Sequence, residues 1–235
     1  DKEKSVVIDE IKQQNDQPDE KLFSYFLSRA WKKNNYGKTI LGTENDVQSL
    51  EISDLENFHK KFYNQTNSCI AIAGNLSEKI FDEYINNSFF YPEKNESCLI
   101  NNSNEFIAIS GSYREEIEFS NIELSRILMA WEVPGLKNPR LNIGFEILAS
   151  ILSFGRNSRL VKVLKEENNL VQSIYVDVNA GELGGLLIIE ACCDELNLKV
   201  VEKEINEIIK EVISYKNITL NELRKAINIV KSRYI

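Results

Sequence analysis

The sequence predicts an α+β protein of two domains, with antiparallel sheets carrying helices on one face. Three observations lead there. A chain of 235 residues suits two domains of about 100 to 130 residues each better than one large one. Residues 91–104 are polar and turn-rich, with Asn95, Asn101, Asn102 and Asn104, and they separate two stretches that each have their own apolar periodicity. The domains are therefore placed at 1–95 and 96–235. In the second stretch the patterns follow the order strand, strand, helix, helix, strand, strand, helix, helix, which suits an antiparallel sheet with helices packed on it.

Taken in order, residues 3–14 and 20–33 read as helices, the second with Leu22, Phe23, Phe26, Leu27, Ala30 and Trp31 on one face, and Pro18 makes the break between them. A loop at 36–43 follows. Ser53 with Glu56 reads as a capping box opening a helix that carries Phe58, His59 and Tyr63. The apolar run 68–73 reads as a strand ending at Gly74, and 77–86 as a helix packed beside it. Beyond the polar stretch, strands are expected at 114–119, 124–133, 171–178 and 186–192. Helices are expected at 140–152, 158–167, 197–215 and 221–234, the last opened by a second capping box of Thr219 with Glu222. Gly181, Gly184 and Gly185 make a hairpin connection and not a phosphate loop.

Composition narrows the function classes. With 43% apolar and 27% charged residues, disordered and collagen-like readings fail. The net charge is −8, and Lys and Arg are scattered among Asp and Glu, which argues against nucleic acid as a partner. No apolar run reaches the 18 residues of a membrane span. The four cysteines, Cys69, Cys98, Cys192 and Cys193, form no C-x-x-C and have no His close in sequence. They read as buried free thiols, which favours a reducing compartment such as cytoplasm or an organelle matrix. With one His in the chain and no G-x-S-x-G, nucleophilic hydrolysis is improbable. The first residues carry neither an initiator Met nor a signal pattern, and the last lie inside a helical pattern, so sequence is expected beyond both ends.

The candidate chemistry sits at the start. Glu3 and Glu10 are seven residues apart, two helical turns less about 20°, so both carboxylates project from one side of a helix. Val6, Val7 and Ile8 between them suggest a semi-buried acid/base or metal site. Two Glu at this spacing on a surface helix also arise by chance. Arg156 and Arg159 could meet a peptide carboxylate, although holding the turn after the 140–152 helix is the simpler role.

The run from Glu3 to Glu10, followed by Asp16 and Pro18, resembles the insulinase and pitrilysin zinc metallopeptidases, which include the mitochondrial processing peptidase. The resemblance continues through Tyr36-Gly37-Lys38-Thr39-Ile40-Leu41-Gly42-Thr43, the helix at 54–63, the run Ile70-Ala71-Ile72-Ala73-Gly74-Asn75, and Gly155-Arg156-Asn157-Ser158-Arg159-Leu160. In that family an H-x-x-E-H helix gives two His ligands and the general base, and a Glu roughly 70 to 80 residues later completes the zinc site.

The resemblance implies that Glu10 is the metal ligand and that Glu3 is a second acidic residue kept close to the catalytic site. It also implies that the first domain of this chain is incomplete, and that four such domains form two clam-like halves around a chamber for extended peptides, so the expected partners are peptide substrates and a second peptidase half or homologous subunit. The sequence departs from the family at the centre of the chemistry. His59 is the one His present and reads as packing on its helix, so the fragment alone is expected to be inactive and to bind no zinc, with zinc belonging to the intact protein. A non-catalytic subunit that holds substrate or assembles with an active partner is the alternative. Two carboxylates on an apolar helix favour the active kind, since a subunit without zinc has no physical need for them.

Overall fold

Apolar side chains recur at helical spacing through the first third of the chain, and at strand spacing around residues 125–134 and 184–193. The computed structural model places both patterns. It describes residues 2–31, 34–64, 67–69, 71–75, 77–86, 112–119, 122–214 and 218–234. Among these residues the helices are α1 (Lys2–Asp16), α2 (Pro18–Ala30), α3 (Glu44–Ser49), α4 (Ile52–Phe62), α5 (Glu78–Asn86), α6 (Pro139–Ser153), α7 (Leu198–Ile213) and α8 (Leu220–Arg233). The strands are β1 (Ser125–Pro134), β2 (Ser173–Ala180) and β3 (Gly184–Cys193). The chain divides into two compact units, residues 1–13 with 40–105 and residues 14–39 with 106–235.

In the second unit the strands form an antiparallel sheet in the order β1-β3-β2, with Met129 and Val176 both opposite Ile189. Period-two alternation sends Leu187, Ile189 and Ala191 to one face. There they meet Ala149 and Leu152 of α6, Leu160 and Leu164 of a π-helical segment (Val161–Glu167), and Val201 and Ile205 of α7. The opposite face also has cover, because Leu186 and Ile188 pack on Trp31, with Phe23, Phe26 and Leu27 of α2 around it. Burial on both faces explains why β3 is a nearly continuous apolar run. Each fully buried Leu or Ile stabilises by about 1.5 to 3 kcal/mol relative to exposure. The connection after β2 is the expected hairpin, closed by Gly181 N–H donating to Gly184 O at 2.9 Å. Gly135 tolerates no larger residue, since a Cβ there would lie 2.5 Å from the Gly184 backbone nitrogen.

The first unit holds α3, α4, α5 and the part of α1 up to Gln13. Ile11 and Val47 are its buried apolar side chains among the described residues. The Lys4 ammonium donates to Gln48 O at 2.9 Å. Helix α3 was not expected from the sequence. It is opened by a capping box in which the Thr43 N–H donates to Asp46 Oδ2 at 2.8 Å and the Asp46 N–H donates to Thr43 Oγ1.

Several expectations need correcting. Residues 68–69 and 71–73 form no strand, because an apolar stretch needs a neighbour to pair with and no strand lies in that unit among the described residues. Cys69 is accordingly exposed, whereas Cys192 and Cys193 are buried as expected. Residues 112–119 are also without strand pairing, and side chains anchor them instead. Helix α4 begins at Ile52, with the Glu51 N–H donating to Asp54 Oδ2 at 2.8 Å, so Ser53 is not its cap. The second capping box stands as read, with Thr219 N–H donating to Glu222 Oε2 and Glu222 N–H donating to Thr219 Oγ1. The polar stretch 91–104 and Cys98 lie outside the described residues.

Candidate functional site

Helix α1 does carry Glu3 and Glu10, and a seven-residue step brings both to one side about 10 Å apart along the axis. Glu3 lies in the first turn, where the helix dipole favours a carboxylate. Both side chains are exposed, not semi-buried. The reason lies in helical geometry: Val7, Ile8 and Ile11, the side chains turned inward, centre roughly a quarter turn away from the line joining the two carboxylates. Val6, which shares their apolar character, is itself 56% exposed. Among the described residues neither carboxylate is engaged by a hydrogen bond or an ion pair. Their oxygens are therefore available as hard donors to a ligand from outside.

A catalytic zinc takes three protein ligands. Among the described residues no group of three or more His, Cys, Asp or Glu is placed to hold a metal ion. The donor chemistry of Glu10 suits one corner of such a site and no more. His59 lies exposed on α4 with its ring stacked on Tyr63, centroids 4.9 Å apart and planes 15° apart. That geometry is packing between successive helical turns.

The Gly155 to Leu160 turn acts as a structural fastening. Gly155 adopts φ +88°, a conformation suited to glycine, and its carbonyl accepts from both the Ser158 N–H at 3.0 Å and the Ser158 hydroxyl at 2.6 Å. Leu160 is fully buried in the core. The Arg159 guanidinium, on a side chain 15% exposed, grips Glu222 at the start of α8. Arg156 instead lies at the surface, 3.9 Å from Glu166.

Two polar clusters escaped the sequence reading. Arg126 of β1 forms an ion pair with Asp19 in the first turn of α2, at 3.0 Å, and its Nη1 donates to Leu124 O and to Cys192 Sγ. Beside it is a cavity of about 230 Å³ lined by Leu22, Phe23, Leu128 and Glu190 among others. The available signal was a lone Arg inside an apolar strand. The second cluster centres on Glu115, which accepts from the Tyr25 and Tyr113 hydroxyls at 2.7 Å each and from Arg29 Nε at 3.1 Å. The two phenols, Tyr25 before Tyr113, hold its carboxyl below the usual range. Nothing local in the sequence signals a contact spanning 90 positions.

The comparisons with known proteins agree on one family. Residues 49–230 match the family described as Peptidase M16 inactive domain. An uncharacterized zinc protease of Bacillus subtilis, YmxG, is 25% identical over 231 residues, covering 96% of this chain and 53% of its own length. An uncharacterized zinc protease of Mycobacterium leprae is 23% identical over 219 residues, covering 89% of this chain and 47% of its own. The chain thus spans about half the length of the curated relatives it matches.

Among solved structures, a protease from Helicobacter pylori superposes with a TM-score of 0.80 at 18% identity, covering 99% of this chain and 56% of that one. A peptidase M16 inactive domain from Pseudomonas fluorescens gives 0.73 at 19%, covering all of this chain and 56% of that one. Among the described residues, no helix is long and apolar enough to cross a membrane. With the match extending over most of its length, the chain belongs to the Peptidase M16 inactive domain family.

Proposed function

We propose that the chain is part of a zinc-dependent metalloendopeptidase that hydrolyses extended peptides in an enclosed chamber, and that this part alone is inactive. In this reading residues 1–95 are the C-terminal part of the metal-site domain and 96–235 a second peptidase-like domain. The observation that carries it is the family match, together with the two exposed, unengaged carboxylates on one side of α1. When bound, zinc supplies Lewis acidity and lowers the pKa of its water. The part of this chain is to hold the metal through the Glu10 carboxylate, while Glu3, two turns away, orients the ligand set as outer carboxylates do in other zinc sites. A second peptidase half or homologous subunit is the expected partner, as relatives about twice as long suggest. The two buried thiols fit a reducing compartment.

The second reading, a non-catalytic subunit that holds substrate or pairs with an active one, is favoured by the family description as an inactive domain. The roughly 80 residues preceding Glu10 in the full-length gene product separate the two, since an H-x-x-E-H helix there supports the peptidase and its absence supports the subunit. The direct experiment is metal analysis alongside peptide hydrolysis on the full-length protein and Glu10→Gln. The expected result is joint loss of zinc and activity, because an amide is a poor substitute for a carboxylate on a dication. Full zinc occupancy with normal turnover ends the assignment of Glu10 as a ligand.

A further inference from the structure

Among the described residues the three strands leave two edges, and along an edge every second residue turns its N–H and C=O outward, a template for an added strand. In β2 the hairpin bond from Gly181 to Gly184, with Val176 opposite Ile189, makes the odd-numbered residues face β3. Residues 174, 176 and 178 therefore present their backbone groups to the outside. At Val176 that place is taken. Its N–H donates to the hydroxyl of Ser153, the last residue of α6, at 2.9 Å, and the same hydroxyl lies 3.4 Å from both Val176 O and Ala149 O. A hydroxyl both accepts and donates, so Ser153 stands where a neighbouring strand would put a carbonyl and an amide.

The other edge belongs to β1. Residues 112–119 reach helices on opposite faces of the sheet. Arg114 Nε and Nη2 donate to Glu202 of α7 at 3.0 and 3.1 Å, while Glu115 accepts from Tyr25 and Arg29 of α2. Helix α7 packs on the β1 side of the sheet, and α2 packs on Leu128 and Ala130 of β1 from the other face. A stretch that grips helices on both faces thereby bridges the two faces of the sheet where α7 and α2 meet β1.

We propose that this unit closes both edges of its sheet from within, Ser153 being the plug of β2, so that the sheet accepts no added strand from an extended peptide or from a second copy of the chain. The proposal is independent of the peptidase reading and of the role of Glu10.

The test uses Ser153→Ala, Ser153→Thr and, as a control that weakens the same sheet without touching its edge, Ile189→Val in the full-length protein. Hydrogen exchange at the Val176 amide and sedimentation over a concentration series are the readouts. Ser153→Ala is expected to exchange about tenfold faster there and to self-associate more strongly than the parent, with Ser153→Thr restoring parent behaviour. Self-association of Ser153→Ala no greater than the parent's overturns the proposal whatever the exchange rate. Equal self-association by Ile189→Val overturns it too, because general destabilisation would then suffice.

Discussion

Arg159 and Glu222 meet as a two-pronged ion pair, Nε to Oε1 at 2.9 Å and Nη2 to Oε2 at 3.2 Å. The same carboxylate accepts from the Thr219 N–H and hydroxyl, so one side chain both caps α8 and fastens it to the turn after α6.

Acid should loosen this fastening. Arg159 first, and then the Thr219 donors, hold the Glu222 carboxyl down at about 2, below its usual 4.5. A depressed folded-state value means that the stabilisation is complete above the ordinary carboxylate range and is lost as pH falls from there through about 2. Urea midpoints at pH 7, 4, 3 and 2 should show Glu222→Gln weaker than the parent at pH 7 by about 1 to 3 kcal/mol, between exposed and buried ion pairs, with the gap closing towards pH 2. A gap independent of pH would contradict the assignment.

Two glycines should respond differently to alanine. At Gly181 a Cβ would meet the Tyr36 ring at 2.5 Å, and that ring sits at the end of a side chain that can shift. At Gly135 the obstacles are the Gly184 and Glu182 backbones. Gly135→Ala should therefore cost more than Gly181→Ala, each of them about 1 to 3 kcal/mol or more, and Tyr36→Leu should relieve only Gly181→Ala. Thermal melts of the single and double variants read the coupling.

If the proposed reading holds, Glu3→Gln in the full-length protein should keep most of the zinc and lose rate, about 10 to 100-fold, as outer carboxylates typically do. Elemental analysis beside peptide hydrolysis distinguishes this from Glu10→Gln. Zinc loss equal to that of Glu10→Gln would make Glu3 a ligand as well.

Limited proteolysis should cut first within the polar residues 91–104, yet leave the pieces associated. Trp31, 4% exposed, is buried with α2 against Leu186 and Ile188, so the N-terminal piece holds to the sheet after the cut. Two bands on a denaturing gel but one mass under native conditions is the expected pattern. Separation on a sizing column would show that α2 contributes little.

The elements read well from sequence are those whose signal is local. The nearly continuous apolar run around Ile189 and the helical stripe of Val201, Ile205 and Ile208 each announce burial without reference to anything distant. Ala71 to Ala73 and Arg114 to Phe119 have suitable composition, but a strand exists only through its partner, which composition does not supply. The site divides in the same way. That Glu3 and Glu10 share a side follows from spacing alone, whereas their exposure depends on which side α1 buries, and Val7, Ile8 and Ile11 decide that. Arg159 was read correctly as a fastening, although its partner lies 63 positions away.

The grouping of residues 14–39 with 106–235 also bears on the order in which the chain can fold. Trp31 waits through about 150 further residues of synthesis before β3 exists to cover it, so the unit closes late and through distant pairings, the kind that folds slowly and exposes apolar surface meanwhile. The stretch from 40 to 105 emerges from the ribosome as an interruption inside a half-built unit. During that interval the aromatic face of α2 has no sheet to cover it.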